Sequence, residues 1–565
     1  MEINYKKNNN KELFNQFVDN KLVDINNLQN YIPIYSHYFN LNENNYNSIN
    51  LNNNYKLNSI TEKLSYSKFN GTIIDDSNNL INKKIFFKYS PIVDPIKYML
   101  GKYEDNIFKL PTFSNNDDLN KKTLDINNSA YTDGFFSFLS SLLLNKYDFL
   151  NGIDYYGSFL GIKKNFLVTI EDDLEYLDDS EFFHKNNNLL FNIPENENYK
   201  KYFNTTKKYK QALIIDNKNI DDKELLIDNL IDKLDINNTI TNHDLEIEYT
   251  QETNLKEKNI NKKKAKTNEQ NESESSCSSR YSNTNSSKNE DSEDDNITTS
   301  DESESETESE SEEEIYANIY KFPVQTIALE CCEDTLDSYI INNKIKDDEW
   351  ESIIIQIIFT LITYQKAFNF THNDLHTNNI VYNNTDKKFL YYKYDNKHYK
   401  IPTFGKIYKI IDFGRAIYKY KGKIICSDSY APDGDAHTQY NTEPYLNEDK
   451  PRLEPNYSFD LCRLGCSLFD YFIEDLDTIK KLKSPIKKLI IEWVFDDSNK
   501  NILYKNNGSE RYPDFKLYKM IARTVHNHNP QNVIKKSLFE KYLISKKKIN
   551  NQSGIFNIDN LPVLI

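Results

Sequence analysis

One octapeptide limits what this chain can fold into. His372-Asn373-Asp374-Leu375-His376-Thr377-Asn378-Asn379 stands between an apolar helical run, Ser352 to Phe370, and a short strand-like run, Ile380 to Tyr382. A polar turn, Asn383 to Asp386, follows. Asp and Asn compete with regular backbone hydrogen bonding, so they belong in loops. Their side chains also offer oxygen ligands to a hard cation. A buried helix that delivers His, Asp and Asn to the foot of a strand reads as a catalytic loop. Polar loop capping is the plainer reading of the same residues.

Charge is concentrated in one place. Of the 565 residues, 268–314 hold 17 acidic and two basic side chains, so almost all of the formal −16 lies there and the rest is near neutral. A near-neutral body gives no electrostatic reason to expect a nucleic-acid partner. The 38% hydrophobic and 13% aromatic content is enough for a sizeable core. Cys277, Cys331, Cys332, Cys426, Cys462 and Cys466 include no Cys-x-x-Cys pair, and no secretory signal opens the sequence. An intracellular, reducing compartment is expected, in cytoplasm or nucleus. The most apolar run, Ile353 to Phe368, is interrupted by polar residues and reads as a buried helix, so no membrane partner is expected.

The chain divides by pattern. Residues 1–57 are an Asn-rich extension, either packed on the body or largely disordered. Residues 58–174 carry short strands, among them Lys83 to Tyr89, then a helix over Tyr131 to Phe149, and strands at Ile153 to Leu160 and Phe166 to Ile170. Residues 175–315 form an insertion. Its first part has signals at Leu213 to Ile215 and Leu225 to Leu234; its end, 256–314, begins with a basic run, Lys256 to Lys266, and becomes a Ser/Glu/Asp tract. That tract is too charged and too poor in apolar residues to form a core, so disorder is expected. Its Ser-acid repeats suit phosphorylation by an acid-directed kinase of the host, or a partner for the tract. Residues 316–333 hold a strand, Val324 to Glu330. Residues 334–549 are mainly helical after a hairpin at 389–401, and 550–565 are a tail. Strands first and helices after them predict an α+β, two-lobe layout.

The octapeptide resembles the protein-kinase catalytic loop, in which an Asp is followed five residues later by an Asn. Asp412-Phe413-Gly414, after a strand, resembles the metal-binding triplet of the same fold. Phe459 to Gly465 resembles the Asp-bearing helix that braces the loop. His376 two residues after Asp374, the approach Ile401 to Gly405 and the strand at Ile425 to Asp428 are similar to haspin, an atypical serine/threonine kinase. Composition and insertion resemble the kinases of giant DNA viruses of protists, which would put the protein in host cytoplasm or virion. The resemblance covers about 60 to 545, less the insertion. It implies ATP and Mg²⁺ as cofactors and a protein substrate phosphorylated on serine or threonine. It implies catalytic roles for Asp374 and His376, metal ligation by Asn379 and Asp412, and phosphate binding by Lys88. Glu330 and Cys332 become hinge positions that hold the nucleotide.

The departures are specific. Asn373 replaces the usual Arg, which predicts constitutive or insertion-controlled activity. No Gly-x-Gly-x-x-Gly precedes Lys88, and no Glu lies between 131 and 149, leaving Asp133 as the nearest acidic partner. These features keep open a pseudokinase scaffold with weak or no turnover, and a small-molecule kinase with a His-x-Asp-x-His loop.

Overall fold

The computed structural model describes residues 2–19, 22–114, 117–194, 315–549 and 554–565. The basic run, the Ser/Glu/Asp tract and the signals between Leu213 and Leu234 lie outside the described residues. Among those described, the architecture is mixed α/β.

The first half is built on one antiparallel sheet. Its strands lie in the order Ile25–Gln29, Tyr155–Thr169, Tyr316–Glu330, Leu80–Pro91, Lys68–Asp75 and Tyr55–Lys63, and the short strand Phe191–Asn192 also pairs with Tyr316–Glu330. The two strands expected between Ile153 and Ile170 are one continuous strand. Asn165, at φ +53°, sits inside it without ending it. Strand structure also starts earlier than the stretch that opens at residue 58, at Tyr55.

Helix Ser129–Tyr147 packs on this sheet. It begins two residues before the expected start, because Asn128 is the cap and accepts from Ala130 N. Phe135, Phe136, Phe138, Leu139, Leu142 and Leu143 are all in the core. Phe136 is an aromatic hub. Its ring lies 4.3 Å from Phe370, 4.6 Å from Phe413 and 5.0 Å from Tyr364. The helix on the sheet is thereby packed directly against both loops that carry the candidate chemistry.

The Asn-rich extension packs on the body. Strand Ile25–Gln29 pairs with Tyr155–Thr169, Phe17 meets Phe87 and Phe159 edge-on, and Tyr38 stacks on Phe135 at 4.9 Å. The tail also packs: Ile555–Asn557 pairs in parallel with Phe389–Tyr394, and Phe556 lies 4.7 Å from Phe149.

The second half centres on helix Asp347–Phe368, which is apolar on nearly every face and accordingly buried almost throughout. Asp347, Asp348 and Glu349 complement its first turn, and Asn369 ends it in the left-handed conformation. Helices Phe459–Phe472, Pro485–Glu492 and Lys516–Thr524 pack beyond it. No helix among the described residues is long and apolar enough to cross a membrane.

Candidate active site

The central helix ends at Phe368, and the chain then turns through the octapeptide before entering strand Ile380–Asn384. The turn is held from below by Asp460, in the first turn of helix Phe459–Phe472. Its two carboxylate oxygens accept from His372 N at 3.0 Å and Asn373 N at 2.8 Å. Asp460 is fully buried, and burial raises its carboxyl above the ordinary range despite these bonds. His372 spans to the second loop, with Nε2 2.9 Å from the carbonyl of Ile411.

Asn373 adopts φ +66°, a conformation Asn tolerates better than most residues. Its amide nitrogen donates to Arg415 O at 3.0 Å and its oxygen accepts from the Tyr440 hydroxyl at 2.8 Å. A neutral amide thus joins the loop to the segment after Gly414 with no charged group needed.

Lys88 lies on strand Leu80–Pro91, in register with Ile327 of the neighbouring strand. Its Nζ is 2.6 Å from Asp133 Oδ2 and 2.8 Å from Asp412 Oδ1. The other oxygen of Asp133 accepts from Phe413 N at 2.9 Å. The shorter reach of Asp compared with Glu is therefore no obstacle: Asp133, on the second turn of its helix, touches both the lysine and the Asp412-Phe413-Gly414 loop. Burial opposes the charge on Lys88, but the two carboxylates prevail and raise its pKa. Burial dominates at Asp133 and raises it. At Asp412 burial pulls the same way, but Lys88 outweighs it and the pKa is lowered. Asp412 stands at φ +64° with its side chain 39% exposed, the one member of this trio open to solvent to that degree.

Asn379 donates through Nδ2 to Asp374 O at 2.9 Å and to His376 Nε2 at 3.1 Å. That leaves its carbonyl oxygen as the end available to a cation. It also assigns the His376 proton to Nδ1, which is buried and has no partner. Burial pushes His376 down to about 4, so the ring is neutral near pH 7. Asp374 itself is 3% exposed. Its Oδ1 accepts from the Tyr518 hydroxyl at 2.7 Å, and Arg463 Nε donates to that same hydroxyl at 2.9 Å. The Tyr518 ring lies between two guanidinium groups, Arg463 at 5.2 Å and Arg415 at 5.6 Å, and Arg415 is paired with Asp435. Burial raises the phenol to about 12, so it remains a donor.

Lys88, Asp133, Asp412, Asp374, His376 and Asn379 thus come from a strand, a helix and two connected loops. Glu330 and Cys332 lie apart from that cluster. The Glu330 side chain is spent on Lys409, on Asp154 N at 2.7 Å and on Asn383 Nδ2 at 2.6 Å, and its main-chain N–H donates to Asp154 O at 3.0 Å. Cys332 is half-buried and packs against the core, and burial raises its thiol well above the ordinary value. Among the described residues no group of three or more His, Cys, Asp or Glu side chains could hold a metal ion. Asn379 and Asp412 each carry an oxygen of the kind Mg²⁺ takes alongside water and phosphate.

Tyr518, Arg463 and Tyr440 escape a reading of the sequence. Tyr518 is 144 residues from Asp374 and sits in an amphipathic helix, where its neighbours suggest a core residue. A scan against protein-family models finds no match to this chain, and a search of curated proteins finds none either.

Proposed function

We propose that the protein is a two-lobe, haspin-like protein kinase that transfers the γ-phosphate of ATP to serine or threonine hydroxyls of a protein substrate. The observation that carries this reading is the Lys88 ammonium clasped between Asp133 and Asp412, across from a loop that presents Asp374 and Asn379. Phosphoryl transfer asks for positioning and charge neutralisation more than for covalent help. Lys88 would exchange part of its contact with Asp412 for the phosphates, while Asp133 keeps the ammonium in place. Asn379 and Asp412 would hold Mg²⁺, whose charge offsets that of the transferred group. Asp374, oriented by Tyr518, would accept the proton of the acceptor hydroxyl, and the unpartnered Nδ1–H of His376 would donate to the incoming oxygens.

Purified protein incubated with γ-labelled ATP, Mg²⁺ and mixed acceptor proteins should label them, and Asp374→Ala should abolish the signal. Wild-type labelling no greater than that of the variant would overturn the proposal.

A binding scaffold is the second reading. It is favoured by the burial of Asp374 beneath Tyr518 and by the turn Leu64 to Ser67, which joins the two sheet strands that precede Leu80–Pro91 without a glycine. Nucleotide-dependent thermal stabilisation without labelling would select it.

A further inference from the structure

We infer that the acceptor at this site is a hydroxyl set in acidic sequence. The inference rests on the kinase reading and concerns the surface next to Asp374. Two elements reach Asp374 and Asn373. Helix Lys516–Thr524 does so through Tyr518, and the segment before helix Phe459–Phe472 through Tyr440. Basic side chains lie near these contacts: Lys519 and Arg523 on the helix, His437 and Lys450 on the other segment. Lys519 follows Tyr518, and its Nζ lies 5.5 Å over the ring of Phe515, which is itself stacked on Tyr518 at 5.2 Å. One turn on, Arg523 donates to the carbonyl of Thr438 at 2.7 Å and to that of Lys519 at 2.7 Å. This bond ties the helix to the segment that carries His437.

Arg523 lowers the proton affinity of Lys519, and Lys450 and Lys519 lower that of His437, so the four share one patch. Burial is the larger cause in each case. No described carboxylate forms an ion pair with any of them; Arg523 spends its donors on neutral carbonyls. Asp433 is the acid that faces His437, and Asp435 is committed to Arg415.

Lys519, Arg523 and Lys450, three cations without a described ion-pair partner beside a neutral His437, on a body that is otherwise near neutral, are a feature that charge complementarity can use. The same chain contains sequence of the opposite kind. Ser303-Glu304-Ser305-Glu306 and the residues up to Glu314 alternate hydroxyls with carboxylates. An acceptor of this composition would bring its flanking acids to Lys519, Arg523, His437 and Lys450 while presenting a hydroxyl to Asp374. A basic acceptor would be repelled.

The test uses the full chain and two fluorescent peptides. One copies residues 300–314; the other has every acid replaced by Lys. Labelling from γ-labelled ATP and binding by anisotropy are both measured. The tethered tract competes with both peptides, so the readout is the ratio between them. The acidic peptide should be favoured about tenfold or more in both measurements, and the preference should weaken with salt. Lys519→Glu with Arg523→Glu should remove that preference. Lys450→Glu, which breaks no hydrogen bond of the helix, should reduce it in the same direction. Equal use of the two peptides, or a ratio unmoved by both variants, would overturn the inference while leaving the kinase reading intact. A charge-dependent binding preference without any labelling would uphold the acidic ligand and sink the kinase reading instead.

Discussion

On the kinase reading, the chemistry of this protein depends, at the scale of single residues, on two short relays. In one, Arg463 donates to the Tyr518 hydroxyl and Tyr518 donates to Asp374. Tyr518→Phe keeps the ring between its two guanidinium groups but leaves Oδ1 of a buried carboxylate without that donor. Losing one hydrogen bond to a charged group costs about 1.5–3 kcal/mol. The expected result is a fall in kcat of about ten- to a hundredfold with little change in KM for ATP, read from initial rates. An unchanged kcat would show that Tyr518 is only a packing residue. In the other relay, Asp133 holds both Lys88 and Phe413 N. Asp133→Ala leaves Lys88 with Asp412 alone and strands the Phe413 amide. Nucleotide affinity should drop by about tenfold and stability by about 2 kcal/mol in urea unfolding, a partial loss because Lys88 is not fully buried. The second relay was half visible in the sequence, since Asp133 was the only acid available to its helix. The first was not, because a tyrosine in an amphipathic helix carries no mark of the carboxylate it will meet.

Elements matter here through how firmly helix Ser129–Tyr147 is held. Its N-terminus is fixed by the strand and turn that follow Gly414: Ser129 N donates to Asp428 Oδ1 at 2.9 Å, Asp428 N donates to Asn127 O at 2.7 Å, and the Tyr418 hydroxyl donates to Thr132 O at 3.0 Å. Asp428 faces Lys122 at 3.5 Å, with Asp125 and Asp435 nearby. Burial outweighs Lys122 and lifts its carboxyl from 3.8 to about 6. An acid whose folded value is raised favours the fold when protonated. Its contribution is therefore full below the unfolded value and is lost as pH rises through about 6. Between pH 4 and pH 7 the wild type should lose on the order of 3 kcal/mol relative to Asp428→Asn, measured by urea unfolding. Parallel curves for the two proteins would show that the carboxyl is not perturbed. Periodicity made the helix itself legible, and the octapeptide and Asp412-Phe413-Gly414 were legible from spacing. The anchoring of the helix was not, because its partners lie some 300 residues away in sequence. The tail strand was missed for a different reason: Ile555 to Asn557 is too short to show a period. Phe556→Ala should nevertheless cost about 3 kcal/mol, as for other buried aromatic side chains, and a near-neutral result would mean the strand is dispensable.

For the molecule as a whole, one antiparallel sheet and one buried helix position the other described elements, and the described residues on either side of 195–314 meet at one place. Asn192 is in register with Asn318, so the two ends lie on paired strands. Loop closure across so short a gap depends weakly on length. Replacing 196–313 by a short Gly/Ser linker should leave the melting temperature within a few degrees, checked by scanning calorimetry, whereas a large drop would show that the excised residues support the fold. The amide at Asn373 has a consequence of another kind. Where many kinases place an arginine that must be matched by a phosphate, this chain has a side chain already satisfied by Arg415 and Tyr440. On the kinase reading there is no upstream signal for that position to receive. Output would follow how much of the protein is made and how long it survives, so control passes from signalling to supply.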